Sequence, residues 1–357
     1  MVRSGWAGDH GRNGEGPGVR SPLQGGLPPV DAVADAVVEI ACDESGFSGT
    51  NLLDPATPVI THASVDLSTG EAAGLIAALR SGFRFSLNEF KSGQFLRGPR
   101  AGEALEWFLA ALSGRAHVHL VDKEYFLVTR IVDLLLAEPS YAAGTRLTQD
   151  HRPAALTLYR AKRSAGSEWG VFLAAFVELV RIRHRPDRRA LERFFQARDS
   201  LVRDGLGAEA EGVLDGLSRT RVRAVLIRLS DNDPSIPPPL EPMLPALAET
   251  VLFWSGGARQ VLVTHDEQSA LTAGRLSRLQ QVLADGAGSS PAGADEAGSS
   301  PAGVSPLAGL VMVDSRDDPR VQVADLLAGV ARRLPGIVDD GPLQPFLSPT
   351  SLRDPER

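Results

Sequence analysis

One cysteine, Cys42, is all the thiol chemistry in 357 residues, so the chain can form no internal disulfide and no thiolate zinc cage. Its place inside the apolar run Val37, Val38, Ile40, Ala41 reads as a small buried side chain. Aromatics are scarce at 6%, and the Arg-rich middle of the chain offers Phe194 and Phe195, which read as core rather than as base-stacking platforms. The longest apolar stretch, Gly170 to Val180, is too short for a bilayer and is broken by Glu178. Residues 1–30 are rich in Gly, Pro and Arg and lack the apolar segment of a secretory signal. A cytoplasmic location without a membrane partner is therefore expected.

Several catalytic signatures are also missing. There is no Gly-x-x-x-x-Gly-Lys-Ser/Thr phosphate loop and no Gly-x-Ser-x-Gly elbow at a strand-to-helix turn. Aspartyl-phosphate phosphatases need a second Asp two residues after the first, and that position is Ser45. The Asp-x-Gly turn of actin-like ATPases is lengthened by one residue between Asp43 and Gly46.

What remains is a globular composition, 43% hydrophobic and 23% charged, long enough for one large or two modest domains. The net charge is −7, unevenly spread: residues 146–228 hold 17 Lys/Arg against 10 Asp/Glu. A basic middle between acidic flanks suits a polyanion approaching a cation site, or simply a set of solvated Arg-rich helices.

Residues 1–32 read as a disordered segment and 336–357 as a flexible, Pro-rich tail. A tandem decapeptide at 284–303, Ala-Asp-Gly/Glu-Ala-Gly-Ser-Ser-Pro-Ala-Gly, reads as low-complexity linker. Between these the pattern alternates. Strands are expected at about 36–42 and 58–66 as a hairpin-like pair, then a helix opened by the capping box Ser68/Glu71. Phe83, Phe85 and Leu87 alternate as a third strand, and further strands are expected at 116–121, 222–228, 260–264 and 309–313. Helices are expected at 101–112 and 125–137, through most of 140–258, up to about 283, and after Asp318-Pro319, which cap and open the last one. The order implies an α/β sheet flanked by helices with a large, mostly helical insertion.

Acidic residues recur at the ends of these runs: Asp43 in Asp-Glu-Ser-Gly, Glu89 in Asn-Glu-Phe-Lys, and Asp266 in Thr-His-Asp-Glu. Each alone has an ordinary explanation: a turn, a solvated charge paired with Lys91, a helix cap. Asp325 is harder to dismiss. It lies mid-helix among Val321, Val323, Ala324, Leu326, Leu327 and Ala328, where Asp is unfavourable without an arginine partner or a cation. Carboxylates gathered at 4 Å repel by roughly 4 kcal/mol per pair even at an effective dielectric of 20, so a cluster needs protons or a cation. Hard oxygen donors favour Mg²⁺ or Mn²⁺.

The set Asp-Glu-Ser-Gly, Glu-x-Lys, Asp-Glu, and Asp-Ser followed by Gln-x-Ala-Asp-Leu-Leu-Ala-Gly resembles the family known as domain of unknown function 3800, over about residues 36–333. The resemblance implies a ribonuclease H-like fold and a metal-dependent nuclease. It implies Asp43, Glu89, Asp266 and Asp325 as Mg²⁺ or Mn²⁺ ligands and catalytic residues, with Asp314 and Asp122 (in Val-Asp-Lys) in reserve. Lys91 would neutralise a scissile phosphate, and Arg181, Arg183, Arg185, Arg188 and Arg189 would grip nucleic acid. His117, His119 and His265 read as packing residues, with metal or proton chemistry the lesser reading. The alternative is a non-catalytic binding or scaffold protein that keeps the sheet.

Overall fold

Alternation along the first strand decides the two faces of the molecule. In the computed structural model, which describes residues 26–28, 37–47, 51–83, 92–181, 187–203, 205–287, 304–334 and 341–355, β1 is Val37–Ser45. Val38, Ile40 and Cys42 enter one apolar cluster, and Ala41 the other. β1 is central, and like other strands with parallel neighbours it is covered on both sides.

The other strands are β2 (Val59–Val65), β3 (Ala116–Asp122), β4 (Gln260–Asp266) and β5 (Leu307–Val313). They form one sheet of order β3-β2-β1-β4-β5. β1 and β2, and β2 and β3, pair antiparallel, whereas β1 with β4 and β4 with β5 pair parallel. The helices are α1 (Thr69–Phe83), α2 (Ser92–Phe95), α3 (Ala101–Ala111), α4 (Lys123–Ile131), α5 (Arg152–Arg160), α6 (Lys162–Ala165) and α7 (Glu168–Val180). They continue with α8 (Arg188–Arg203), α9 (Ala208–Asp215), α10 (Arg219–Ser230), α11 (Met243–Ser255), α12 (Ala273–Ala287) and α13 (Pro319–Arg333). A parallel pair needs a crossover, and α12 supplies the one between β4 and β5.

One core lies between the sheet and α1, α3 and α13, with Ala63, Val65, Val118 and Leu120 facing Leu79, Phe108 and Leu327. The larger core spreads from the opposite face, through Ile60, Val121 and Val263, into α4, α7, α8 and α11. α13 is buried along nearly its whole length and packs on β1 and β2. The Thr61 hydroxyl donates to the Ala328 carbonyl at 2.7 Å, and Arg332 Nε donates to Ser45 Oγ at 2.9 Å, tying this helix to the end of the first hairpin.

Several expectations change. The strand at 222–228 is helix α10, whose buried Val222, Val225, Leu226 and Leu229 follow a helical period that overrides their β-branched content. Phe83 closes α1 instead of opening a strand, and Phe85 and Leu87 lie outside the described residues. The tail is not loose over 341–355: Leu347 and Leu352 bridge to Val118 and Val121 along β3, and Asp354 pairs with Arg160 at 2.7 Å. This segment covers the sheet edge that β3 would otherwise expose. At the other edge Leu27, within the expected disordered segment, bridges to Leu310. The decapeptide begins inside α12, and its residues 288–303 lie outside those described.

Candidate functional site

Parallel pairing of β1 with β4 ends with Cys42 opposite His265, so the next residues, Asp43 and Asp266, follow side by side where that pairing stops, Asp266 as the last residue of β4 and Asp43 two residues before the end of β1. Side chains alternate along a strand, which turns Asp43 to the face of Ala41, the face that α13 covers. Asp325 comes from that helix and lies near enough for its charge to act on Asp43. Crevices outside the carboxyl ends of parallel strands are where open α/β sheets bind ligands.

The electrostatics are those of a site crowded with negative charge. Asp43 is only 5% exposed, and burial, then Glu44, Asp325 and Asp266, push its carboxyl up to about 10; the Glu44 backbone N–H, donating to Oδ1 at 2.6 Å, offsets this in part. Glu44 is raised to about 7, first by burial and then by Asp266, with Gln268 opposing and Glu241 adding. Asp266 is raised by burial against the backbone N–H groups of Glu267 and Ser315, the latter 3.0 Å from Oδ1. Around neutral pH the metal-free cluster therefore holds protons that a cation would displace.

Glu44, which the sequence reading passed over, is held differently. Its Oε1 accepts from Gln268 Nε2 at 2.6 Å, while its Oε2 is buried with no hydrogen-bond partner among the described residues. Gln268 is itself oriented, because its Oε1 accepts from the Ala270 backbone N–H at 3.2 Å. The signal was present as Asp-Glu-Gln after β4 and as the second residue of Asp-Glu-Ser-Gly.

Glu89 and Lys91 lie outside the described residues. The chain immediately after them is fixed: α2 docks on α13, and a Cβ built on Gly329 would stand 2.2 Å from Ser92 Oγ. Gly329, one turn beyond Asp325, is what permits that approach.

The two reserve carboxylates have other work. Asp122 caps α4 by accepting from the Tyr125 N–H at 2.9 Å and accepts the Tyr159 hydroxyl at 2.6 Å. Asp314 forms an ion pair with Arg316 at 2.5 Å. Of the arginines, Arg183 and Arg185 lie outside the described residues. Arg181 is exposed at the end of α7 and Arg188 and Arg189 at the start of α8; Arg188 also lines a surface cleft with Arg219 and Arg223 between α8 and α10.

Behind the carboxylates the sheet carries a buried layer of histidines. His62, His117, His119 and His265 are each at most 1% exposed, beneath α11. Their order can be deduced. His265 Nδ1 lies 2.9 Å from the Asp266 carbonyl, which only accepts, so Nδ1 carries the proton and the neutral ring leaves Nε2 bare. That Nε2 is 3.2 Å from His62 Nε2, which must then donate, and His62 Nδ1 accepts from the Thr250 hydroxyl at 2.9 Å. His117 stacks on Phe253 at 4.0 Å, and neither ring nitrogen of His117 or His119 has a hydrogen-bond partner among the described residues. The reading of these histidines as packing residues thus gains an addition, a chain of hydrogen bonds ending on the backbone of Asp266.

Tested as a cation site, the donors fit in chemistry alone: carboxylate oxygens, hard and partly desolvated. They are not closed around one point, since among the described residues no three His, Cys, Asp or Glu side chains are poised to hold a metal ion together. No family model matches the chain, and no curated protein or solved structure is significantly similar to it.

Proposed function

We propose that the protein is a divalent-metal-dependent nuclease or phosphodiesterase of ribonuclease H-like architecture, acting on a polynucleotide. One observation carries the reading: Asp43 and Asp266 follow side by side where the parallel pairing of β1 and β4 stops, with Asp325 of α13 near enough to raise the Asp43 carboxyl. The mixed sheet, antiparallel through β1, β2 and β3 and parallel through β1, β4 and β5, supports the architecture.

In this reading Asp43, Asp266 and Asp325, with Glu89, hold Mg²⁺ or Mn²⁺. The ion would polarise the phosphodiester and lower the pKa of an attacking water. The backbone N–H of Glu44 holds one oxygen of Asp43, and the backbone N–H groups of Glu267 and Ser315 hold the Asp266 carboxylate. The buried wall behind them excludes water. Lys91 would meet the scissile phosphate, and Arg181, Arg183, Arg185, Arg188 and Arg189 the flanking ones.

The test is cleavage of single- and double-stranded DNA and RNA with Mn²⁺ and with EDTA. Mn²⁺-dependent cleavage is expected, falling to buffer background in Asp43→Asn. Cleavage that survives this substitution unchanged rules the assignment out. A second reading, a binding protein that retains the sheet, is favoured by the lack of three poised donors among the described residues. It predicts no rise in melting temperature with Mg²⁺ or Mn²⁺.

A further inference from the structure

We propose that Arg332 and Arg333, at the end of α13, bind a backbone phosphate of the polynucleotide, close to but distinct from the phosphate cut beside Asp43. The substrate class rests on the nuclease reading above, whereas the anion site itself stands on a separate set of contacts. Asp325 and Arg332 are seven residues apart, so they share a face of α13 and lie about 10 Å apart along its axis. Asp43 and Ser45, two residues apart, share a face of β1 and lie about 7 Å apart. Asp325 is near enough to Asp43 for its charge to act there, and Arg332 Nε donates to Ser45 Oγ at 2.9 Å. Helix and strand thus lead together from the carboxylates to the guanidinium. A nucleic acid strand carries one phosphate per roughly 3.4 Å of its axis, so the step along β1 spans about two phosphates.

The two arginines are cradled alike, each by a serine followed by a glycine. Arg332 Cδ lies 2.6 Å from where a Cβ on Gly46 would stand, and Gly46 has φ +93° besides, so only glycine suits that place. Arg333 Nε donates to Ser92 Oγ at 3.3 Å, and its Cζ lies 3.2 Å from where a Cβ on Gly93 would stand. Each serine takes the Nε–H and leaves the terminal amino groups, the pair that can grip a phosphate with two parallel hydrogen bonds. Basic residues in a last helical turn complement the helix dipole, which accounts for the two charges but not for their lack of counter-charges. Among the described residues neither arginine forms an ion pair. Arg332 is half-buried, and burial, then the like charge of Arg333, press its guanidinium down. Lys123, buried at the start of α4, is lowered by burial and, against the pull of Asp54, by Arg332. Cations drawn out of water within reach of one another are relieved by an anion.

Binding of a fluorescein-labelled single-stranded oligonucleotide to the full chain, followed by anisotropy in EDTA over a salt series, tests this without reference to cleavage. Arg332→Gln is expected to weaken binding about tenfold and to lower the slope of log K against log salt by about 0.7, one phosphate contact on a single strand. Its melting temperature without oligonucleotide should not fall, because a half-buried cation without an ion pair is removed. Arg333→Gln, at an exposed position, should act in the same direction and serves where Arg332→Gln folds poorly. Affinity and slope unchanged in both variants overturn the anion site, and a lowered melting temperature beside them would make Arg332 a tie between α13 and β1. Mn²⁺-dependent cleavage lost in Asp43→Asn would then still uphold the nuclease reading. Binding weakened in both variants without any Mn²⁺-dependent cleavage upholds the anion site and removes that reading instead. No oligonucleotide binding by the unsubstituted chain overturns the proposal outright.

Discussion

Two buried histidines in neighbouring strands make opposite predictions. His119 pairs in register with His62, yet its ring nitrogens have no hydrogen-bond partner among the described residues, whereas both nitrogens of His62 are engaged. Replacing an unsatisfied polar group with an apolar one of similar shape is neutral or stabilising, but removing one member of a bonded pair leaves the other buried and unpaired. His119→Phe is therefore expected to leave stability at pH 7 unchanged or raise it by about 1 kcal/mol, and His62→Phe to lower it by about 1–3 kcal/mol, in urea denaturation. Equal losses from both would contradict the hydrogen-bond order deduced for Thr250, His62, His265 and Asp266. At this scale the sequence revealed Asp43, Asp266 and Asp325 because each closes an apolar run or interrupts one. Glu44 was hidden by alternation, which sends it to the face away from Asp43. The histidine layer was hidden too, since a His in a strand gives no sign of whether its ring is solvated or sealed under a helix far along the chain, as α11 seals these.

Gly329 shows how an element is positioned by what it lacks. Helix propensity alone says that Gly→Ala in the interior of α13 should stabilise by about 1 kcal/mol. The packing says the reverse, because a Cβ there would fall 2.5 Å from Ser92 Cβ and 2.2 Å from its Oγ. Overpacking of this kind costs roughly 1–3 kcal/mol, so Gly329→Ala should lower stability, and Ser92→Gly in the same chain should restore part of it. A double-mutant cycle measured by thermal melting decides: additive effects would mean that α2 does not rest on this point of α13. α1, α13 and the strands were legible from capping boxes, Asp-Pro openings and alternation. The helix α10 was not, because Val222, Val225, Leu226 and Ile227 favour a strand by composition, while the buried set repeats at the spacing of a helix. A tail docked along β3 is equally invisible locally, since its pairing partners lie more than 200 residues away.

For the whole molecule, two buried populations pull stability in opposite directions as pH changes. His117 and His119 are pressed down to about 3 and His265 to about 4, chiefly by burial, and His62 falls well below its usual value. A histidine lowered in the fold is neutral there but takes a proton when unfolded. Its stabilising contribution is complete above about pH 6.5 and is lost as pH falls toward 4 and 3. The raised carboxylates act the other way. Glu44 and Glu241, both lifted to about 7, and Asp43, lifted to about 10, hold protons in the fold that the unfolded chain has released. Their contribution is complete below about pH 4 and is lost as pH rises through 7 and, for Asp43, through 10. Between about pH 4.5 and 6.5 the two groups oppose each other, each titrating residue changing the slope by at most about 1.4 kcal/mol per pH unit. A shallow stability profile in EDTA follows. In the metal-dependent reading, a divalent ion at this site would hold Asp43 and Asp266 ionised at every pH where it binds, removing their share and leaving the histidines weighted more heavily. Melting temperatures across pH 4.5–7 should therefore rise more steeply with saturating Mn²⁺ than in EDTA. Parallel profiles would mean that no ion reaches these carboxylates, while a profile flattened by His119→Phe in both conditions would assign the acid side of the curve to the buried layer.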